Sequence, residues 1–188
     1  MDNPGTRIPV HSRSMSITTY LTGDDSIMVE GVLKDDRLAR TFSLTTGDGI
    51  EPGTVHHFTV RLIIKGPGLV IDEVEVDMDH VPREDCLRTR ESLKPLVGQA
   101  IAPGFTGWVK KNLGCARGCT HLNALVISMA SAAVQGFWSA RTSRREDLRG
   151  ATKGMSQKFL IDTCWVWRAE GPRAAELASL LNGAPFEE

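Results

Sequence analysis

The sequence predicts an α+β fold, with an antiparallel sheet from the N-terminal half covered by helices from the C-terminal half. Strand-like alternation with turn residues between runs fills residues 14–79. Helical apolar spacing replaces it from about residue 84. One segment, Gly118 to Ala140, carries no charged residue and keeps a helical repeat throughout, which predicts a long buried helix over about 119–140.

Residues 1–12 contain Pro4, Gly5 and Pro9 and are expected to form a flexible arm on a single domain spanning 1–188. "SMSITTYLT" (14–22) is the first strand and ends at Gly23-Asp24-Asp25. "SIMVEGVLKD" (26–35) is the second, and Asp35-Asp36 reads as its turn into "RLARTFSLTT" (37–46). "TVHHFTVRLII" (54–64) places His56, Phe58, Val60, Leu62 and Ile64 on one face and His57, Thr59 and Arg61 on the other. After the Lys65–Gly68 turn, "LVIDEVEVDMD" (69–79) places Asp72 among Val70, Val74, Val76 and Met78.

Leu87, Leu93 and Val97 predict a helix over about 84–98 that Pro95 must kink or end. "GFTGWVKKNL" predicts a short helix buried through Phe105, Val109 and Leu113. In the long helix, Leu122, Leu125, Val126, Met129, Ala130, Ala133, Val134 and Phe137 form the apolar stripe, with Thr120 as the expected N-cap. "RTSRREDLRGATKG" (141–154) reads as a loop whose arginines are interrupted by Glu146 and Asp147. "PRAAELASLLNG" (172–183) is a final helix, with Pro172 near its start and Gly183 after its end.

Composition narrows the function. The chain has 188 residues, 41% hydrophobic and 24% charged, and a net charge of −1. No general attraction to nucleic acid or anionic membrane is expected. The uncharged segment also holds Thr120, His121, Asn123, Ser128, Ser131 and Gln135, which argues against a membrane span. The N-terminal residues lack the apolar region of a secretory signal, and the four cysteines do not suggest a disulfide scaffold. A bacterial-type reducing cytoplasm is the expected location.

Three constellations carry candidate chemistry. His56 and Asp72, on adjacent strands, are expected to share the covered face as a general acid–base pair or as a structural hydrogen bond. His121, Ser128 and Gln135 recur every seven residues and form a polar stripe on the long helix. That stripe either lines a ligand pocket or permits close packing. Cys115, Cys119 and His121, with Cys86, invite a zinc reading, but C-x3-C-x-H is not a familiar ligand spacing, so no metal is assigned. Cys119 and His121 also pose a nucleophilic reading, weakened because residues two apart at a helix start need not point together. No nucleotide loop, H-E-x-x-H or G-x-S-x-G is present.

The blocks "VHSR", "HHFTVRL", "VIDEVEV", "VPREDC", "LVGQAIAPGFT", "GCTHLNAL" and "IDTC", with Gln135, resemble an uncharacterised bacterial domain-of-unknown-function family over about residues 10–165. Its hallmark is a Gly-Cys-x-His-Leu block. The resemblance implies that His11, Arg13, Asp25, His56, Arg61, Asp72, Cys86, Cys119, His121, Gln135 and Cys164 matter. Where members carry a Gly-Gly pair before the block, this chain reads Gly114-Cys115-Ala116-Arg117, which removes Cys115 as a shared ligand. By analogy, the resemblance also implies a place in bacterial breakdown of aromatic compounds, as a lyase that releases formaldehyde from lignin-derived dimers.

The expected protein is a small enzyme with no cofactor, acting on an aromatic small molecule. His56, His121 and Asp72 are the catalytic candidates, and Arg13, Gln135, Ser128 and Cys119 are the substrate-binding candidates. The chemistry is a carbon–carbon lyase step, with hydrolysis second. A non-catalytic small-molecule binder and a zinc-stabilised interaction protein are the alternatives, and a homodimer is the default assembly.

Overall fold

The computed structural model describes residues 7–143 and 159–182. The first six residues of the expected arm, the arginines 144, 145 and 149, and Gly183 lie outside them. The chain is α+β as expected. Strands β1 (His11–Gly23), β2 (Ser26–Arg37), β5 (Gly53–Lys65) and β6 (Val70–His80) form one antiparallel sheet in the order β1-β2-β5-β6. Strands β3 (Thr41–Phe42) and β4 (Gly49–Ile50) make a separate small hairpin. Helices α1 (Phe105–Leu113) and α2 (Thr120–Arg141) follow.

Alternation decides which face is covered. Ile27, Val29 and Leu33 of β2 pair with Ile64, Leu62 and Phe58 of β5, and all six are fully buried. Each apolar row packs beneath α2, which rests on β1, β2 and β5. Gly31 lies in the same buried row because α2 crosses closest there. A Cβ at Gly31 would sit 2.6 Å from Met129 Sδ. Gly136 plays the matching part on the helix, where a Cβ would overlap the Thr19 side chain. The outer face is polar: Arg61 bridges Glu30 and Asp77, each at 2.7 Å, and His57 lies 3.4 Å from Asp79.

The structure corrects several expectations. His11 and Ser12 already belong to β1, not to an arm. Asp35-Asp36 is not a turn, because β2 continues to Arg37 and residues 37–46 contribute only Thr41–Phe42. Residues 84–96 form a 3-10 helix with Pro95 inside it. Its three-residue repeat buries Leu93 and Leu96 and leaves Leu87 and Val97 exposed. The N-cap of α2 is Cys119 rather than Thr120. The apolar stripe of α2 is buried at Leu122, Leu125, Val126, Met129, Ala130, Ala133 and Phe137, but Ser131, Gln135 and Ser139 are exposed. By length and composition α2 could cross a membrane, and 44% of its apolar window is buried within the fold.

Candidate active site

Asp35 is the centre of the site. It ends the buried row Ile27, Val29, Gly31, Leu33 on β2, and its side chain is 2% exposed. A carboxylate at that depth must be hydrogen-bonded. Pairing supplies the partners, because Arg13 of β1 and His56 of β5 lie directly opposite Asp35 on either side. Arg13 donates from Nε to Oδ1 at 2.6 Å and from Nη2 to Oδ2 at 2.8 Å, a side-on fork. His56 Nδ1 lies 2.9 Å from Oδ2. His11 Nε2 lies 3.6 Å from Oδ1.

The first turn of α2 closes the site from above. His121 Nε2 lies 3.8 Å from Asp35 Oδ2, and its ring sits 3.9 Å from the His56 ring, tilted by 34°. Phe58 meets both imidazoles edge-on. Cys119 Sγ lies 3.5 Å from His121 Nδ1, so these two side chains do point together. Exposure rises outward, from His56 at 13% and His121 at 24% to Arg13 at 36% and His11 at 52%.

Electrostatics fix the protonation pattern. The Arg13 fork holds the Asp35 carboxyl down at about 2 against the opposing effect of burial, with His56 assisting. The same hydrogen bonding raises Arg13. An ionised Asp35 only accepts, so His56 Nδ1 carries a proton and donates it. His121 is pushed below its ordinary range, chiefly by burial and then by His56 and Arg13. At neutral pH it is an uncharged imidazole.

Asp72 is not part of this cluster. It is the extra residue of a β-bulge: Ile63 pairs with Glu73 and Ile64 with Ile71, so the inward alternation breaks there. Asp72 instead lies 2.6 Å from Lys65 Nζ and is 38% exposed. Ser128 is two turns along α2, where its hydroxyl donates to the Ala124 carbonyl and contacts Met15 Sδ. Gln135 is further still, about 21 Å along the helix from His121. It lines a cavity of about 580 Å³ with Ser131, Phe105, Phe159, Cys164 and Trp167, none of which belongs to the histidine cluster. Sequence reasoning missed Asp35, which it read as part of a turn; the alternation of β2 that buries Leu33 also points Asp35 inward.

The donor types at Asp35, His56 and His121 suit a metal, and their ligand atoms lie within 4.8 Å of one another. Both oxygens of Asp35 are nevertheless taken by a guanidinium, whose charge opposes a cation, so the residues as arranged do not fit one. No cysteine belongs to this group, which is the one such group among the described residues. Cys115 is exposed, with φ at 54° in the region that favours glycine.

No curated protein and no solved structure matches the chain. Residues 11–135 match a family described as protein of unknown function, DUF2889. That span begins at His11 and takes in Arg13, Asp35, His56, Cys119 and His121, the whole of the cluster. Because it also covers more than half of the sequence, the chain belongs to the DUF2889 family.

Proposed function

We propose that the chain is a small-molecule enzyme without an organic cofactor, with His56 and His121 as its acid–base pair. One observation carries this reading: two imidazoles are stacked at 3.9 Å above a single buried carboxylate that a guanidinium keeps ionised. Two imidazolium ions do not coexist comfortably at that separation, so the pair takes up at most one added proton and can pass it between the rings. An uncharged His121 accepts a proton from a substrate hydroxyl, while His56 is oriented by Asp35, the role the sequence reading gave to Asp72. Arg13 spends Nε and Nη2 on Asp35, which leaves Nη1 to hold a substrate oxygen.

This toolkit suits a carbon–carbon lyase step, which the sequence resemblance places ahead of hydrolysis. One imidazole removes the hydroxyl proton, the carbon–carbon bond breaks as the carbonyl forms, and the electron pair left on carbon takes up a proton. Overall one carbon–carbon bond is cleaved and one proton moves from oxygen to carbon, with no change that needs an oxidant or reductant, and the proton transfers are within the reach of two histidines. The aromatic substrate class, formaldehyde as product and a setting in the bacterial cytoplasm rest on the sequence resemblance, not on this geometry.

The test is a panel of lignin-derived dimers incubated with the protein and assayed for formaldehyde. Release by the wild type, lost in His56→Ala and His121→Ala while ligand binding persists, is the expected result. No product across the panel overturns the lyase reading, and full turnover in both variants overturns the residue assignment. Tight binding without turnover in the wild type identifies a non-catalytic binder.

A further inference from the structure

A cavity away from the histidines takes its walls from three parts of the chain. Ala130, Ser131, Val134 and Gln135 lie on one side of α2, a turn apart, and form the first wall. Phe105, at the start of α1, belongs to the second. The chain between Phe159 and Trp167 supplies the third. The volume between them is about 580 Å³. None of its lining residues belongs to the histidine cluster, and Gln135 lies about four turns along α2 from His121.

These walls are held in place by the rest of the fold. Ile101, Phe105, Ala130 and Phe159 line the cavity and also belong to the hydrophobic core, whose close packing fixes their positions. The Ile101 amide donates to the Leu69 carbonyl at 2.9 Å, which ties that segment to the sheet. In the third wall the Asp162 amide donates to the Trp167 carbonyl at 2.9 Å, and the Trp167 amide to the Cys164 carbonyl at 3.0 Å. Those bonds set the backbone that presents Trp167.

The lining chemistry decides what fits. Fifteen residues line the cavity and none is charged, in a chain that is 24% charged. Three of the fifteen, Phe105, Phe159 and Trp167, are aromatic, against 6% of the chain. A charged ligand would lose hydration there without meeting a counter-charge, whereas a ring can pack on aromatic faces. Polar groups are few. Ser131 and Thr163 donate their hydroxyls to the Ser128 and Leu160 carbonyls. The Gln135 side-chain amide has no hydrogen-bond partner among the described residues, so it can both donate to and accept from a ligand. Since a cavity of about 150 Å³ holds benzene, this one has room for a larger aromatic molecule.

We propose that this cavity is a second small-molecule site, which takes an uncharged aromatic compound and holds its hydroxyl or carbonyl oxygen through Gln135. Cys164 is the one ionisable side chain in its lining, so the site binds and does not supply an acid–base pair. The lack of charge at the exposed α2 positions Ser131 and Gln135 is thereby explained. The proposal does not rest on the reading of the histidine pair.

Fluorescence titration of the full chain with N-phenyl-1-naphthylamine, an uncharged aromatic probe, tests this. Saturable binding is expected, with displacement by 2-naphthol. Naphthalene-2-sulfonate has the same rings and a fixed charge, and should displace the probe roughly tenfold less well. In Gln135→Leu the advantage of 2-naphthol over naphthalene should shrink about fivefold, the worth of one hydrogen bond. Ser131→Phe and Gln135→Trp fill the cavity from exposed helix positions, and each should weaken probe binding roughly tenfold, with circular dichroism unchanged. His121→Ala should bind the probe as the wild type does, whatever its turnover. No saturable binding, equal displacement by naphthalene-2-sulfonate, or binding that survives both filling variants overturns the proposal. So does binding lost in His121→Ala, which would place the probe at the histidine cluster.

Discussion

Replacing Asp35 by Asn keeps the size of the side chain and removes its charge. Arg13 holds the carboxyl at about 2 against an ordinary 3.8, and the side chain is 2% exposed. At about 1.4 kcal/mol per pH unit, the charged form contributes about 2 kcal/mol of stability at neutral pH. Arg13 is partly exposed and rehydrates when its partner is lost, so the variant should not reach the larger penalty of a stranded buried ion. For a chain of this size the expected loss in Tm is roughly 4–8 °C. The depressed pKa fixes the pH dependence: the contribution is complete above about pH 4 and disappears as pH falls towards 2, where the wild-type carboxyl is protonated. Urea denaturation of both proteins at pH 7 and pH 3 measures this. The gap between them should narrow on acidification. Equal stability at pH 7, or a gap that does not change with pH, would falsify the claim that an ionised Asp35 organises the site.

Three further outcomes follow from other parts of the structure. His121 has its pKa lowered, so folding should weaken as pH drops through the ordinary histidine range, where the unfolded chain takes up the proton first; His121→Gln should flatten that limb of a Tm-against-pH curve. Asp72→Asn removes only a half-exposed pair with Lys65, so it should cost less than about 1 kcal/mol in denaturation and leave turnover unchanged. Gly31→Ala drives a methyl group into Met129 and should destabilise by about 1–3 kcal/mol in the same assay, with relief in Gly31→Ala, Met129→Ala.

Local pattern made much of the fold legible. The alternation of β5 placed His56 inward, and the repeat of α2 identified its core residues, because each rests on a period that only one backbone geometry satisfies. Failures came where the period is broken or ambiguous. The bulge at Asp72 shifts the pleat by one residue, which no count of alternate positions detects. Two consecutive aspartates look like a turn, yet Asp35 is inward and Asp36 accepts from the Thr54 hydroxyl on the outer face. What neutralises Asp35 is an arginine 22 positions away, and strand pairing, not proximity in sequence, makes that contact. The separation of Gln135 from His121 follows from helix length alone.

The ladder of β5 is interrupted on both sides of His56. Against β2 the register shifts between Asp35 and Asp36, and against β6 between His57 and Phe58. In an unbroken pleat, the direction of one inward side chain dictates that of the next two positions along. The extra residues are Val55 on β5 and Asp79 on β6, so β5 keeps its register with β2 from His56 through the apolar row, while the pairing changes just before His56 and, on the β6 side, just after His57. Substitutions at Thr54, Val55, Asp79 and His80 fall at these breaks and outside the buried apolar row, so they can change the surroundings of the imidazole without repacking the core, which makes this end of the sheet the place where descendants of the same fold can diverge in chemistry while keeping their stability.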